Sequence, residues 1–407
     1  MLVVLALTLL FTDRHPLVAQ PGPPGAEQAS AIKQAIGAAR TQRLPGKQAV
    51  EIRLTREQLA AVGTLASDGF KPDRLLVRID GKTLNVAGSH RLFFGRWLNA
   101  RLVSQGSKTG FPKVYLTVGS VSFPAGISRF LLEGVRLAIN LRGANVPPLD
   151  TLVQSSEIKG DEAIAKVHLP LKSGIVDQFA GARGGLDGAT VIKVYCRLTA
   201  LQTKKPTDDL AIAVQRAFPA ESADTATVAS NRAAFVALAM FTVSPRVGEL
   251  AGLVDEDTRD CAKGPFALKL NGRFDLSKHW ALSAALAVTA GARFSQAMGE
   301  WKELSDSVSK LSQFAEGDPT GFSFLDLAAD RSGFLMAQAA MDPDRARSMA
   351  AKMSKIGTND IVPASLMRLE DGMPESAFAQ KYGTIRDPRF LAKIREIDAE
   401  LNKSATK

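Results

Sequence analysis

The residues best suited to chemistry crowd into one stretch, between Asp275 and Gly333. Asp275 and His279 stand four apart, so on a helix they share a face, where a carboxylate can orient an imidazole or raise its pKa. Glu303 and Asp306 are three apart, beside Lys302, and Asp326 and Asp330 are four apart, behind Ser323. Each spacing presents two carboxylates on one side of a helix. Brought together, the three segments offer one imidazole among several carboxylates. That donor set can bind a divalent cation or supply the acid and base of a hydrolysis. His279, Glu303, Asp326 and Asp330 are therefore the candidate catalytic residues, and Asp275, Lys302, Asp306, Ser323 and Arg232 the candidate binding residues. Arg232 is included because Ser230-Asn231-Arg232 opens an otherwise apolar helix, from which the guanidinium could reach the carboxylates as a counter-charge.

Each of these residues also has a purely structural explanation. Ser323 with Asp326 is a capping-box pattern. Lys302 with Asp306, and Asp330 with Arg331, have the makings of ordinary surface ion pairs. Ser230 or Asn231 suits a helix cap. No metal or cofactor is singled out by the sequence.

The candidates lie in a half that reads as helical, over 208–218, 225–243, 276–305, 323–340 and 388–401. Within it, 281–292 is apolar or small almost all round, the mark of a buried central helix. The preceding stretch, 48–205, reads differently. Alternation over 49–54 leads to Thr55 and Gln58, a capping box that starts a helix. Asp80-Gly81 joins 74–79 to 83–87 as a hairpin, and Gly119-Ser120 joins 114–118 to 121–123. A helix is expected over 125–141, and strands over 164–169 and 189–198. The fold class predicted is α+β: a domain with a mostly antiparallel sheet at 48–205, then a mainly α-helical domain at 206–407 around a buried central helix.

Upstream, Met1–Phe11 is apolar apart from Thr8. It is too short to span a bilayer, which takes about 20 residues, and it has no basic leader. Residues 1–19 are expected to be a signal peptide or a truncated membrane anchor, with the anchor favoured. The proline-rich 20–25 and a helix at 26–43 then form a linker over 20–47.

Charge separates the two halves. Residues 1–205 hold 27 Lys and Arg against 14 Asp and Glu, whereas 206–407 hold 24 against 27. A basic first half suits an anionic membrane or cell-wall surface. Nucleic acid is disfavoured, since there is no zinc-finger spacing and no basic stripe interleaved with aromatics. Cys196 and Cys261 are expected to be buried free thiols. The alternative is a disulfide whose long loop would stabilise by ~4 kcal/mol.

Two resemblances attach to these patterns. Leu54-Thr55-Arg56-Glu57-Gln58-Leu59, the Asp80-Gly81 hairpin, Gly95-Arg96-Trp97-Leu98-Asn99 and the run Leu116–Pro124 resemble the extracytoplasmic domain of YpmS-type membrane-anchored proteins. That resemblance implies a curved sheet and a binding or scaffolding role beside a membrane. Asp275 and His279, then Lys302, Glu303 and Asp306, then Gly321, Phe322, Ser323, Asp326, Asp330 and Gly333 resemble the motif of YfiM-type predicted periplasmic lipoproteins. They are more distantly similar to the polar motifs of VanZ-like membrane proteins. YfiM-type proteins carry a lipidated cysteine near the N-terminus, whereas the first cysteine here is Cys196. This resemblance implies an envelope location and a functional cluster, with no particular reaction. The expectation is a periplasmic, exported or tethered binding or scaffolding protein with a polar cleft around His279. The alternative is a hydrolase of an envelope glycan or lipid.

Overall fold

Alternating stretches in the first part of the chain pair into two antiparallel sheets in a computed structural model. The structure describes residues 10–22, 25–31, 49–69, 73–141, 146–168, 186–251, 253, 255–261, 264–291, 295–300, 302–303 and 321–405. Two units are compact in themselves, Met1–Pro170 and Leu171–Lys407.

In the first unit, β1 (Ala49–Thr55) passes directly into α1 (Arg56–Gly69). The junction is the expected capping box. The Gln58 N–H donates to Thr55 Oγ1 at 3.3 Å, and the Thr55 N–H donates to Gln58 Oε1 at 2.9 Å. Then come β2 (Arg74–Asp80), β3 (Thr83–Arg91), β4 (Trp97–Gln105), β5 (Val114–Val118) and β6 (Val121–Phe123), which pair in chain order as one five-stranded meander. After α2 (Ala125–Leu141) and the short α3 (Leu149–Leu152), β7 (Val153–Lys159) and β8 (Glu162–His168) complete a three-stranded sheet in the order β1-β8-β7. Leu59 of α1 packs on Val77 and Ile79 of β2 to form a core.

Residues 12–18 lie on the larger sheet, tied there by the buried Asn99. Its side-chain oxygen accepts from the Leu17 N–H at 2.9 Å and from Ser89 Oγ at 2.7 Å. Its amide donates to Asp13 Oδ2 at 2.7 Å and to the His15 carbonyl at 2.9 Å. All four bonding capacities of this buried amide are therefore filled. Helix covers 26–31, and the rest of the expected 26–43 helix lies outside the described residues.

The second unit is helical: α4 (Gly188–Lys204), α5 (Leu210–Ala217), α6 (Val228–Thr242), α7 (Phe274–Ala290), α8 (Phe324–Ala340), α9 (Ala346–Met353), α10 (Thr358–Ile361), α11 (Glu375–Tyr382) and α12 (Pro388–Ala405). Helix α4 corrects the expected strand at 189–198. Val191, Val194, Tyr195 and Leu198 are buried at three- and four-residue spacings, and Asp187 accepts from the Ala189 N–H to cap the helix. Helical periodicity and a cap thus override the β-branched composition. Since α4 packs on α6, it belongs to the second unit, and the division of the chain falls upstream of the expected break at 206.

Cys196 on α4 and Cys261 are joined as a disulfide, with their Cα atoms 5.0 Å apart. This corrects the expectation of free thiols: α5 and α6 double back between the two cysteines and bring them side by side.

The buried central helix is α7, enclosed mainly by α8 and α6. It stops at Ala290, where Gly291 turns to φ +90°, so 276–305 is not one continuous helix, and helix resumes at 295–300. Among the described residues no helix is long and apolar enough to cross a membrane.

Candidate functional site

Polar residues recur every fourth position along the apolar α7, at Asp275, His279 and Ser283, and so form a stripe on one face. Helix α8 meets that face with Asp326 and Asp330, one turn apart. His279 Nε2 lies 3.3 Å from Asp326 Oδ2, and its Nδ1 lies 3.2 Å from Asp330 Oδ1. Ser283 Oγ donates to the same Asp330 oxygen at 2.6 Å.

The two helices come this close because Gly333 has no side chain. A Cβ there would sit 2.3 Å from the Trp280 carbonyl oxygen and 3.2 Å from the Ala284 nitrogen. Gly333→Ala should therefore force α7 and α8 apart and cost about 1–3 kcal/mol of stability, as overpacking does. Urea unfolding checks this, and an unchanged midpoint would refute the close-approach role.

The third wall is formed by the helical residues 295–300 and 302–303. Ser295 Oγ donates to the Ser283 carbonyl at 2.8 Å, which ties the segment to α7. Gly299 runs past Asp330, where a Cβ would lie 2.9 Å from Asp330 Oδ2. Glu303, the last described residue before 321, is fully buried. Its Oε2 accepts from the Ser323 N–H at 3.0 Å, and its Oε1 pairs with Lys302 Nζ at 3.2 Å. His279, Glu303 and Asp330 each offer one ligand atom, and the three atoms lie within 4.8 Å of one another.

The capping-box explanation of Asp326 is thus half correct. Ser323 does cap α8, accepting from the Asp326 N–H at 3.0 Å. The return bond comes from Glu303, twenty residues earlier, which leaves the Asp326 carboxylate facing His279. An aromatic cluster holds this helix start: Phe322 stacks on Phe378 at 4.4 Å between centroids, and Phe324 meets Tyr382 at 5.2 Å.

Three expected roles change. Asp275 is held by Arg273, whose Nε donates to its Oδ1 at 3.0 Å, so the carboxylates that touch His279 come from α8. Arg331 pairs with Asp398 and Glu300 rather than Asp330. Arg232 is buried and its Nε donates to the Val288 carbonyl at 2.9 Å, nine residues along α7 from His279 or about 13 Å of helical rise. Its helix, α6, is capped by Thr227 with Ser230 in reciprocal contact, in place of Ser230 or Asn231. Asp306, and with it the expected Lys302–Asp306 pair, lies outside the described residues.

Two participants were not read from the sequence. Ser283 had a usable signal, the four-residue continuation of Asp275 and His279. Arg273 had none: it sits before the helix, yet it joins Asp275, Asp371 and, at 3.7 Å, Asp326.

Burial and the positive charge of Lys302 both oppose protonation of His279. The flanking carboxylates Asp326 and Asp330 outweigh them and raise its pKa to about 9. Burial is also the main influence on Asp326, whose pKa is raised despite His279 and Lys302. For Asp275 burial works the same way, but the bonds from Arg273 overcome it and hold the pKa below the usual carboxylate value. Asp275, Glu303, Asp326, Asp330 and Asp371 make five carboxylates against Arg273, Lys302 and a protonated His279, an excess of two negative charges.

No protein-family pattern, curated protein or solved structure matches this chain. The chemistry of the cluster has to be read from its own atoms. His279, Glu303, Asp326 and Asp330 are all buried, so the cluster sits inside the helical packing rather than in an open cleft.

Proposed function

We propose that this chain is a cell-envelope binding protein, exported or N-terminally tethered, whose helical unit holds one divalent cation between His279, Glu303 and Asp330. The observation that carries this reading is a buried carboxylate oxygen of one of these three residues. Asp330 Oδ2 receives no hydrogen bond among the described residues, whereas Asp326 Oδ1 already faces Arg273 at 3.7 Å. A buried acceptor without a donor costs about 1–3 kcal/mol, more when charged, and a cation placed among the converging donors would offset that cost. One imidazole with carboxylates and no thiolate suits zinc or manganese better than calcium or magnesium, which favour all-oxygen shells. The envelope location draws support from the Cys196–Cys261 disulfide, since such bonds persist mainly in oxidising compartments. It is also supported by the apolar run at the N-terminus.

Titration of the chelator-stripped full chain with zinc chloride, and separately with manganese chloride, tests the site by calorimetry. One ion per chain is expected, with Glu303→Gln and Asp330→Asn each weakening binding at least ~10-fold, the loss that even outer-shell changes cause. Absence of saturable binding, or equal binding by both variants, would make the cluster a structural ion network only.

Hydrolysis of an envelope glycan or lipid is the weaker reading. The Glu303 and Asp330 oxygens, under 4.8 Å apart, satisfy the proximity that paired carboxylates need. Their burial offers a polymer no groove among the described residues.

A further inference from the structure

One end of the five-stranded sheet gathers apolar side chains that no described residue of its own unit covers. The connection from β3 to β4 carries Phe93 and Phe94, which are 87% and fully exposed. Phe94 adopts φ +59°, a left-handed conformation that is uncommon for a bulky residue, and it points its ring into solvent. Pairing places more of the chain at this end. Arg91 lies opposite Trp97, Trp97 bridges to Asp13, and the Gly119 N–H donates to the Asn99 carbonyl at 2.9 Å. The next residue, Ser120, donates its N–H to the Leu10 carbonyl at 3.0 Å. Gly119 permits that contact, because a Cβ would sit 2.5 Å from the Leu10 oxygen. Leu10 and Phe11, the described residues of the apolar run Met1–Phe11, therefore lie at the end of the sheet that carries Phe93 and Phe94, and Leu10 is itself exposed.

Charge at this end has one dominant sign. Arg91 and Arg14 are exposed, and Arg96 reaches the Thr12 carbonyl and hydroxyl. Of the acids nearby, Asp13 is held by the Asn99 amide and Asp73 pairs with His90. Over the whole unit, residues 1–170 hold 21 Lys and Arg against 12 Asp and Glu, net +9, whereas 171–407 hold 30 against 29. Contiguous exposed apolar side chains rimmed by polar residues mark interaction sites. Aromatics ringed by basic residues fit the acyl–headgroup boundary of an anionic bilayer.

We propose that this end of the sheet, with Phe93 and Phe94 as the inserted tip and Arg14 and Arg91 at its rim, docks on an anionic lipid surface. It shares the envelope location with the proposed function and is independent of the metal site. Docking would supply the second of the two weak signals that stable membrane association requires, alongside the apolar N-terminal run.

Co-sedimentation of the full chain with vesicles of equal parts phosphatidylcholine and phosphatidylglycerol tests the surface. Phe93→Ser with Phe94→Ser should weaken partitioning at least ~10-fold, the equivalent of burying one such ring. Zinc titration and thermal midpoint should stay as in the parent, so failure here is distinguishable from failure of the metal reading. Phe94→Trp should add emission that brominated lipid quenches. The proposal is overturned if the double variant partitions like the parent, or if the added emission is not quenched. It is equally overturned if the parent dimerises without lipid and the double variant does not, since the tip would then contact a second copy.

Discussion

Asp330→Ala should lower the unfolding free energy of the metal-free chain by about 3 kcal/mol at neutral pH, the low end for breaking a buried ion pair. The low end applies because His279 can release its proton instead of remaining charged and unpaired. The substitution also strands Ser283 Oγ, which donates to Asp330 at 2.6 Å.

The pH dependence separates this electrostatic loss from a cavity effect. His279 titrates at about 9 in the folded chain against 6.5 when unfolded. A group with a raised folded pKa contributes stability that is fully present below its unfolded value and is lost as pH rises through the folded one. Stability of the parent from this source should therefore decline between about pH 6.5 and 9. The gap between parent and Asp330→Ala should narrow across the same window. Urea unfolding in chelator at several pH values measures it. A gap that is constant with pH would mean that Asp330 contributes packing alone.

The second large effect concerns the cysteines. Cys196 and Cys261 are 65 residues apart in sequence, and closing a loop of that size restricts the unfolded chain by about 4 kcal/mol. Replacing both by serine, or adding reductant, should lower the thermal midpoint of the helical unit by roughly 10 °C at the 2–4 °C per kcal/mol expected for its size. Scanning calorimetry with and without reductant is the measurement, beside a thiol count on the unfolded, unreduced protein. Two free thiols in that count, or identical midpoints, would rule out the bond. The same result would remove the disulfide from the support for an envelope location.

Much of the fold was legible in the sequence wherever the decisive interactions are local. The Asp80-Gly81 and Gly119-Ser120 hairpins, the Thr55–Gln58 capping box, α2 and the Ser323 cap of α8 all depend on residues within a few positions of one another. The α+β fold class and the buried central helix followed from the same periodicities. The donor types of the cluster were legible too, because four-residue spacing aligns Asp326 with Asp330 and His279 with its stripe.

Only the tertiary structure decided how those donors are paired. Asp275 sits one turn from His279, yet Arg273 occupies it, and α8 brings the carboxylates that touch the imidazole. Glu303 takes the Ser323 N–H that a local capping box would have assigned to Asp326, across a gap of twenty residues. Local sequence read the β-branched run 189–198 as a strand, and burial against α6 made it the helix α4. Helical spacing states which side chains share a face, but the facing partner is set by how deeply two helices pack. Here Gly333 sets that depth by letting the backbone of α8 rest on Trp280, one residue beyond His279.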